Sequence, residues 1–279
     1  VTQQSVELYG RGKIIRFAAD SLERPGKPAR PAAMLLVGQR GAGKTVLLRR
    51  LDAQFGGTAP TAWLDFARDP NASPLTVMLD VKQGLSQRVA RVGVIRFPLL
   101  QLGFNALSLD PDSDLSPDQQ LDLRLRGREN STSQALRELT QQAGKLLPPE
   151  QQAVVTETAA LITWLRSGIS SRQLHKHLSW YAALLGLGNG TRFGPLLELH
   201  DRWQDDDATA RRAVWQVLCS ALLADLRADF SDFSWRHGQR TTNCLLLLDN
   251  ADTGAGPDFL ESLTECRRIA SAMPDPLVV

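Results

Sequence analysis

Eight consecutive residues, Gly38 to Thr45 (GQRGAGKT), carry the most specific chemistry in the 279-residue chain. Gly38, Gly43, Lys44 and Thr45 fit the pattern G-x-x-x-x-G-K-[ST], with Gln39, Arg40, Gly41 and Ala42 filling the gap. The spacing has a mechanical reason. Glycines let a loop curl so that successive backbone N–H groups point inward at a phosphate. A lysine just beyond reaches the β- and γ-phosphates, and the hydroxyl after it becomes a Mg²⁺ ligand. The residues read as binding the nucleotide are therefore Gly38, Gln39, Arg40, Gly41, Ala42, Gly43, Lys44, Thr45 and Val46, with Lys44 also catalytic and Thr45 a metal ligand.

Such a loop needs a strand before it and a helix after it. Met34 to Val37 reads as a buried parallel strand, and Val46, Leu47, Leu48 and Leu51 give the next helix an apolar face. The helix aims its positive end at the same anion. A carboxylate is also needed, and Cys244 to Asn250 (CLLLLDN) supplies one. Four leucines read as a strand buried on both faces, ending in Asp249 beside the phosphate crevice, where it holds Mg²⁺. Hydrolysis further needs a group that orients water. Asn250 follows Asp249 directly; its amide accepts a hydrogen bond but makes a poor base. Asp252 lies two residues on and is a substitute candidate, although a loop cap explains it better. The catalytic set read from the sequence is thus Lys44, Asp249, Asn250 and Asp252, with ATP and Mg²⁺ as cofactors.

Composition bounds the alternatives. Apolar content of 43% and charged content of 22% are those of an ordinary globular protein, and a net charge of +2 argues for neither nucleic acid nor anionic membrane. The three cysteines, Cys219, Cys244 and Cys266, lack metal-ligand spacing. No apolar run reaches the length of a membrane span and no signal peptide opens the chain, so a cytoplasmic location is the expectation. His175, His177, His200 and His237 show no catalytic partner pattern. A GTPase is disfavoured because no N-K-x-D base-reading motif is present.

The organisation follows from periodicity. Residues 1–75 hold an N-terminal helix, the loop with its strand and helix, and a second strand at Thr61 to Phe66. Residues 76–240 read as mainly helical, including Ser133 to Leu147 and Ala208 to Phe230, with Val92 to Leu109 ambiguous between strand and helix. Asp205 to Asp207 reads as a helix cap. Residues 241–279 hold the Asp249 strand, a helix opened by Gly256-Pro257-Asp258, and a strand beginning at Pro276. Arg267 and Arg268 read as surface positions on that helix. The fold class is α/β: a P-loop NTPase with a parallel sheet, ASCE-like and incomplete at its C-terminus, carrying a large mainly helical insertion.

Glu7 to Leu22 (ELYGRGKIIRFAADSL) resembles the "GR" segment and helix that precede the P-loop in AAA+ and STAND ATPases, which share the additional-strand P-loop fold. TAWLDFA, LLLLDNAD and DPLVV resemble further strands of bacterial STAND proteins, so the likeness covers about residues 5–70 and 240–279. It implies that Tyr9, Gly10 and Arg11 lie along the adenine. It also implies a signal-transducing or defence-type switch that binds ATP or ADP and works with a protein partner or by self-association. Two positions depart from the pattern: Gly12 and Lys13 follow the GR dipeptide where an acid is common, and Asn250 stands where many hydrolysing relatives have Glu or Asp. Slow hydrolysis is the consequence expected. A non-hydrolysing ATP-binding scaffold and an AAA+-like DNA-associated ATPase are the alternatives. The basic stretch Arg11 to Arg30 gives nucleic-acid binding no aromatic support.

Overall fold

The computed structural model describes residues 11–24, 33–90, 92–126, 171–187, 190–205, 207–231, 240–270 and 273–279. The chain is mixed α/β and mostly helical, with a small three-stranded parallel sheet. It divides into two compact units, one of residues 1–103 with 202–279 and one of residues 104–201. Ser133 to Leu147 lies outside the described residues.

The sheet belongs to the first unit. Strand β1 (Thr61–Asp65) pairs with β2 (Cys244–Asp249), which pairs with β3 (Leu277–Val278). The β1–β2 register sets Thr61 opposite Leu245 and Asp65 opposite Asp249. Both strands therefore finish level at a carboxylate. β2 is central and covered on both faces, which is why an almost continuous leucine run suits it.

One face of the sheet is covered by helices α1 (Gly12–Leu22) and α2 (Lys44–Phe55). Ala18 and Leu22 of α1, and Leu48 and Leu51 of α2, join Leu245, Leu247 and Val278 in one buried cluster. Their three- and four-residue spacings are those of a single helical stripe. Helix α3 (Pro74–Leu85) presses on β1 so closely that a Cβ on Gly84 would come within 2.7 Å of the Ala62 Cα. Ser73 caps α3 through its hydroxyl, which accepts from Thr76 N–H at 3.1 Å.

Met34 to Val37 departs from the buried strand expected of it. The segment sits beside β3, with Met34 N–H donating to the Val279 carbonyl at 2.8 Å. Met34 and Leu36 pack on the buried cluster, whereas Leu35 and Val37 are 83% and 85% exposed. The alternation is that of a strand covered on one face only.

Two further helices complete this unit, α8 (Ala208–Asp229) and α9 (Gly256–Ile269), packed through Trp215 and Phe259 with ring centroids 5.7 Å apart. Asp207 N-caps α8, accepting from Thr209 and Ala210 N–H, as its place in the acidic run predicts. Helix α4 (Pro98–Leu107) resolves the ambiguous stretch. Its proline occupies the first turn, and the buried Asp225 carboxylate accepts from Leu99 and Leu100 N–H at 3.1 and 2.9 Å. Arg267 is not a surface residue. It is 9% exposed and holds Asp275 and the Leu277 carbonyl ahead of β3, because the chain must turn there with its polar groups satisfied. Arg268 is exposed and pairs with Glu265.

The second unit is helical where described, with α5 (Pro117–Arg126), α6 (Ser171–Leu185) and α7 (Gly194–Gln204). Gln120 ties the preceding turn by donating to Asp110 and Leu115 carbonyls, and Arg124 donates to the Asn105 and Ser108 carbonyls. His200 is buried with its Nδ1 3.1 Å from the Ala106 carbonyl, a structural role. No helix among the described residues is long and apolar enough to cross a membrane.

Candidate functional site

The loop between Val37 and α2 takes the shape its glycines permit. Gly41 and Gly43 are left-handed, with φ of 83° and 74°, and Gly43 is the N-cap of α2. A side-chain-bearing residue would be strained at either position. Neither a capping side chain nor an acidic residue in the first turn answers the N–H groups that open α2. The positive end of the helix is therefore not met by an acidic group of its own first turn.

Lys44 arches back over the loop. Its Nζ donates to the Gly38 carbonyl at 2.6 Å and to the Gln39 carbonyl at 3.1 Å. The ammonium thus stands over the mouth of the loop, on a stem long enough to swing to a bound phosphate. Gly38, Gln39, Arg40, Gly41 and Ala42 are exposed, Gly43 and Thr45 are half-buried, and Val46 is 40% exposed. Leu47 and Leu48 anchor the helix beneath them.

Arg11 joins the loop from the start of α1. Its Nη1 donates to the Gly43 carbonyl at 3.2 Å, and its Nη2 donates to the Ala42 carbonyl. At its other end α1 is tied to the residues before β2: Asn243 N–H donates to the Leu22 carbonyl at 2.8 Å and Asn243 Nδ2 to the Ser21 carbonyl at 2.9 Å. Tyr9 and Gly10 lie outside the described residues.

Asp249 closes β2 and is 5% exposed. Its Oδ1 accepts from Asn250 N–H at 3.2 Å, while its Oδ2 is buried without a hydrogen-bond partner. An orphaned carboxylate oxygen at a strand end is costly unless a cation or water meets it. Among the described residues no group of three or more His, Cys, Asp or Glu side chains clusters as a metal site. Mg²⁺ does not require one, since it is held through one or two protein groups plus phosphates and waters. The Thr45 hydroxyl and Asp249 Oδ2 suit that donor set in chemistry.

The loops after β1 and β2 interlock. Asn250 is left-handed at φ 52°, and its Nδ2 donates to Asp65 Oδ1 at 2.7 Å. Asp65 Oδ1 also accepts from Ala67 N–H at 3.1 Å. Phe66 N–H donates to the Asp249 carbonyl at 3.1 Å. Gly254, at φ 53°, lies so close to Pro70 that a Cβ would meet its carbonyl oxygen at 2.5 Å. Asp252 is exposed and its carboxylate takes no part in this network; Thr253 instead donates to the Asn250 carbonyl through both its N–H and its hydroxyl.

Two members of this constellation carry no motif of their own. The family resemblance sets Arg11 along the base, and its attachment to loop carbonyls has no sequence signal. Asp65 reads in the sequence only as the end of a strand; its partner is 185 residues away, although both close apolar strands at a carboxylate. Comparison with protein-family models, with curated proteins and with solved structures finds no match to this chain.

Proposed function

We propose that the chain binds ATP with Mg²⁺ at Gly38 to Val46 and uses the nucleotide as a switch, with slow hydrolysis. The observation that carries this reading is the loop itself. Two left-handed glycines open a helix whose first turn holds no internal anion, and a lysine arches across it. The segment order supports a P-loop fold of the additional-strand kind, since β3 stands between the residue 34–37 segment and β2. The resemblance to STAND ATPases supplies the signalling or defence-type role and a protein partner or self-association.

Each residue has a task in this reading. Backbone N–H groups of residues 39–45 bind the phosphates, and Lys44 leaves the Gly38 carbonyl for the γ-phosphate. Thr45 and Asp249 hold Mg²⁺, which neutralises phosphate charge when bound. Exchange of a γ-phosphate for none then alters the contacts of Lys44 and the loop, which biases one conformation over another.

Titration with fluorescent ATP and GTP in Mg²⁺, beside Lys44→Ala and followed by phosphate release, tests the proposal. ATP-selective binding weakened at least tenfold in the variant supports it. Absence of binding by the wild-type chain overturns it. A retained ATP with no phosphate released selects the non-hydrolysing scaffold, which the neutral Asn250 favours.

A further inference from the structure

We propose that Arg11 works at the phosphate end of the nucleotide rather than along its base: it is a positioning residue that grips the loop by two carbonyls and so aims two N–H groups at the phosphates. This rests on the ATP-binding reading above and deepens it.

Peptide geometry decides which way the loop faces. In a trans peptide the C=O and the N–H of the same plane point in opposite directions, and no cis bond occurs among the described residues. The Ala42 carbonyl shares its plane with Gly43 N–H, and the Gly43 carbonyl shares its plane with Lys44 N–H. Arg11 Nη2 donates to the first carbonyl, and Nη1 donates to the second at 3.2 Å. One planar fork thus holds two successive peptide planes and turns the Gly43 and Lys44 N–H groups away from itself. Leu47 N–H also donates to the Gly43 carbonyl, at 3.0 Å, which sets Lys44 N–H at the positive end of α2. Donation from a cation to each carbonyl draws electron density from the N–H of the same plane, which becomes a stronger donor to an anion.

The loop needs this hold because of its own composition. Gly41 and Gly43 make the left-handed turns possible, yet glycine visits other conformations as readily, so the planes beside them can turn their N–H groups outward. Lys44 steadies the other limb through the Gly38 and Gln39 carbonyls, but in the reading above it leaves them for the γ-phosphate. Arg11 grips from the side opposite the N–H groups, so a bound phosphate does not displace it. Its own place is set independently of the loop. Its carbonyl accepts from Ile14 and Ile15 N–H at the start of α1, and Asn243 holds the far end of that helix. Among the described residues Arg11 pairs with no carboxylate, so its charge stays available to attract an anion.

Calorimetric titration of the full chain in Mg²⁺ separates phosphate from base. ATP and inorganic tripolyphosphate, which has no base, are titrated into wild type, Arg11→Ala and Arg11→Lys, with melting temperatures as the check on folding. Wild type is expected to bind both, and Arg11→Ala to weaken both by the same factor, about fivefold or more, the scale of one lost hydrogen bond. Arg11→Lys keeps the charge but offers one ammonium in place of the fork, so its affinities stay below wild type at an unchanged melting temperature. The lysine variant carries the test should the alanine variant fail to fold. ATP affinity that falls in either variant while tripolyphosphate affinity does not returns Arg11 to the base and overturns the inference. So does unchanged affinity for both ligands, a lysine variant equal to wild type, or a wild-type chain that binds ATP but not tripolyphosphate. Each of these leaves nucleotide binding by the wild-type chain intact, whereas its failure to bind ATP overturns both readings.

Discussion

Arg267 grips Asp275 with two guanidinium nitrogens, Nε at 3.1 Å and Nη2 at 2.6 Å, in a site where the carboxylate is wholly buried. Arg227 approaches the same carboxylate at 3.8 Å, and Leu277 N–H donates to it at 3.2 Å. One acidic side chain therefore gathers α8, α9 and the start of β3. Removing its charge takes a wholly buried carboxylate away from the bidentate Arg267 contact and from Arg227. Asp275→Asn is expected to cost about 3–5 kcal/mol, the scale of a broken buried pair, read from the urea midpoint of unfolding. A loss under about 1 kcal/mol contradicts this role.

Lys82 gives stability a dependence on alkaline pH. Burial pulls its ammonium down to about 8, against the attraction of Asp225. In the unfolded chain the same group titrates near 10.4, so between roughly 8 and 10.4 the unfolded state binds more protons. This group's contribution therefore makes stability rise as pH climbs through that window and stay level below it. The expected gain is about 1–3 kcal/mol in wild type and is absent in Lys82→Met. Urea unfolding at pH 7.5, 8.5 and 9.5 measures it, and equal slopes in the two proteins would discard the assignment.

Gly254 cannot be replaced cheaply. Its φ of 53° brings backbone strain to any side chain, and a β-carbon there would meet the Pro70 carbonyl oxygen at 2.5 Å, a clash against backbone. Gly254→Ala is expected to lose about 2–3 kcal/mol. Because the same turn pins Asn250, phosphate release should slow further than the melting temperature alone accounts for, whereas Gly57→Ala, with open space around it, serves as the control.

Arg11 restrains the loop from outside. Arg11→Ala removes the donors to the Ala42 and Gly43 carbonyls while leaving the α1 stripe intact. Global stability should change by under about 1 kcal/mol, since the group is partly exposed. Amide exchange at Gly41 to Lys44 should accelerate severalfold. Unchanged exchange there would show that the loop needs no such restraint.

Much of this arrangement is legible in short-range pattern. The glycines at 41 and 43 announce a left-handed loop, and the leucine run ending at Asp249 matches β2 residue for residue. Gly256-Pro257 opens α9 and Asp207 caps α8, both from local chemistry. What pattern alone leaves hidden is long in sequence separation. Leu35 and Val37 read like their neighbours Met34 and Leu36, yet only tertiary packing decides which pair is covered. Arg267 looks like Arg268 until Asp275 is folded onto it. The Asp65–Asn250 contact joins two strand ends whose adjacency no helical or strand period encodes.

Helix α1 is pinned at both of its ends, and that makes its length a quantity under constraint. Its 11 residues span about 16 Å, with the Asn243 anchor at one end and Arg11, reaching the loop carbonyls, at the other. Exchanges on its outer face, such as at Lys13 or Asp20, leave that span untouched. An insertion or deletion of a single residue advances or retracts Arg11 by about 1.5 Å and swings it about 100° around the axis, off the loop altogether. The helix is a measuring rod, tolerant of spelling and intolerant of count.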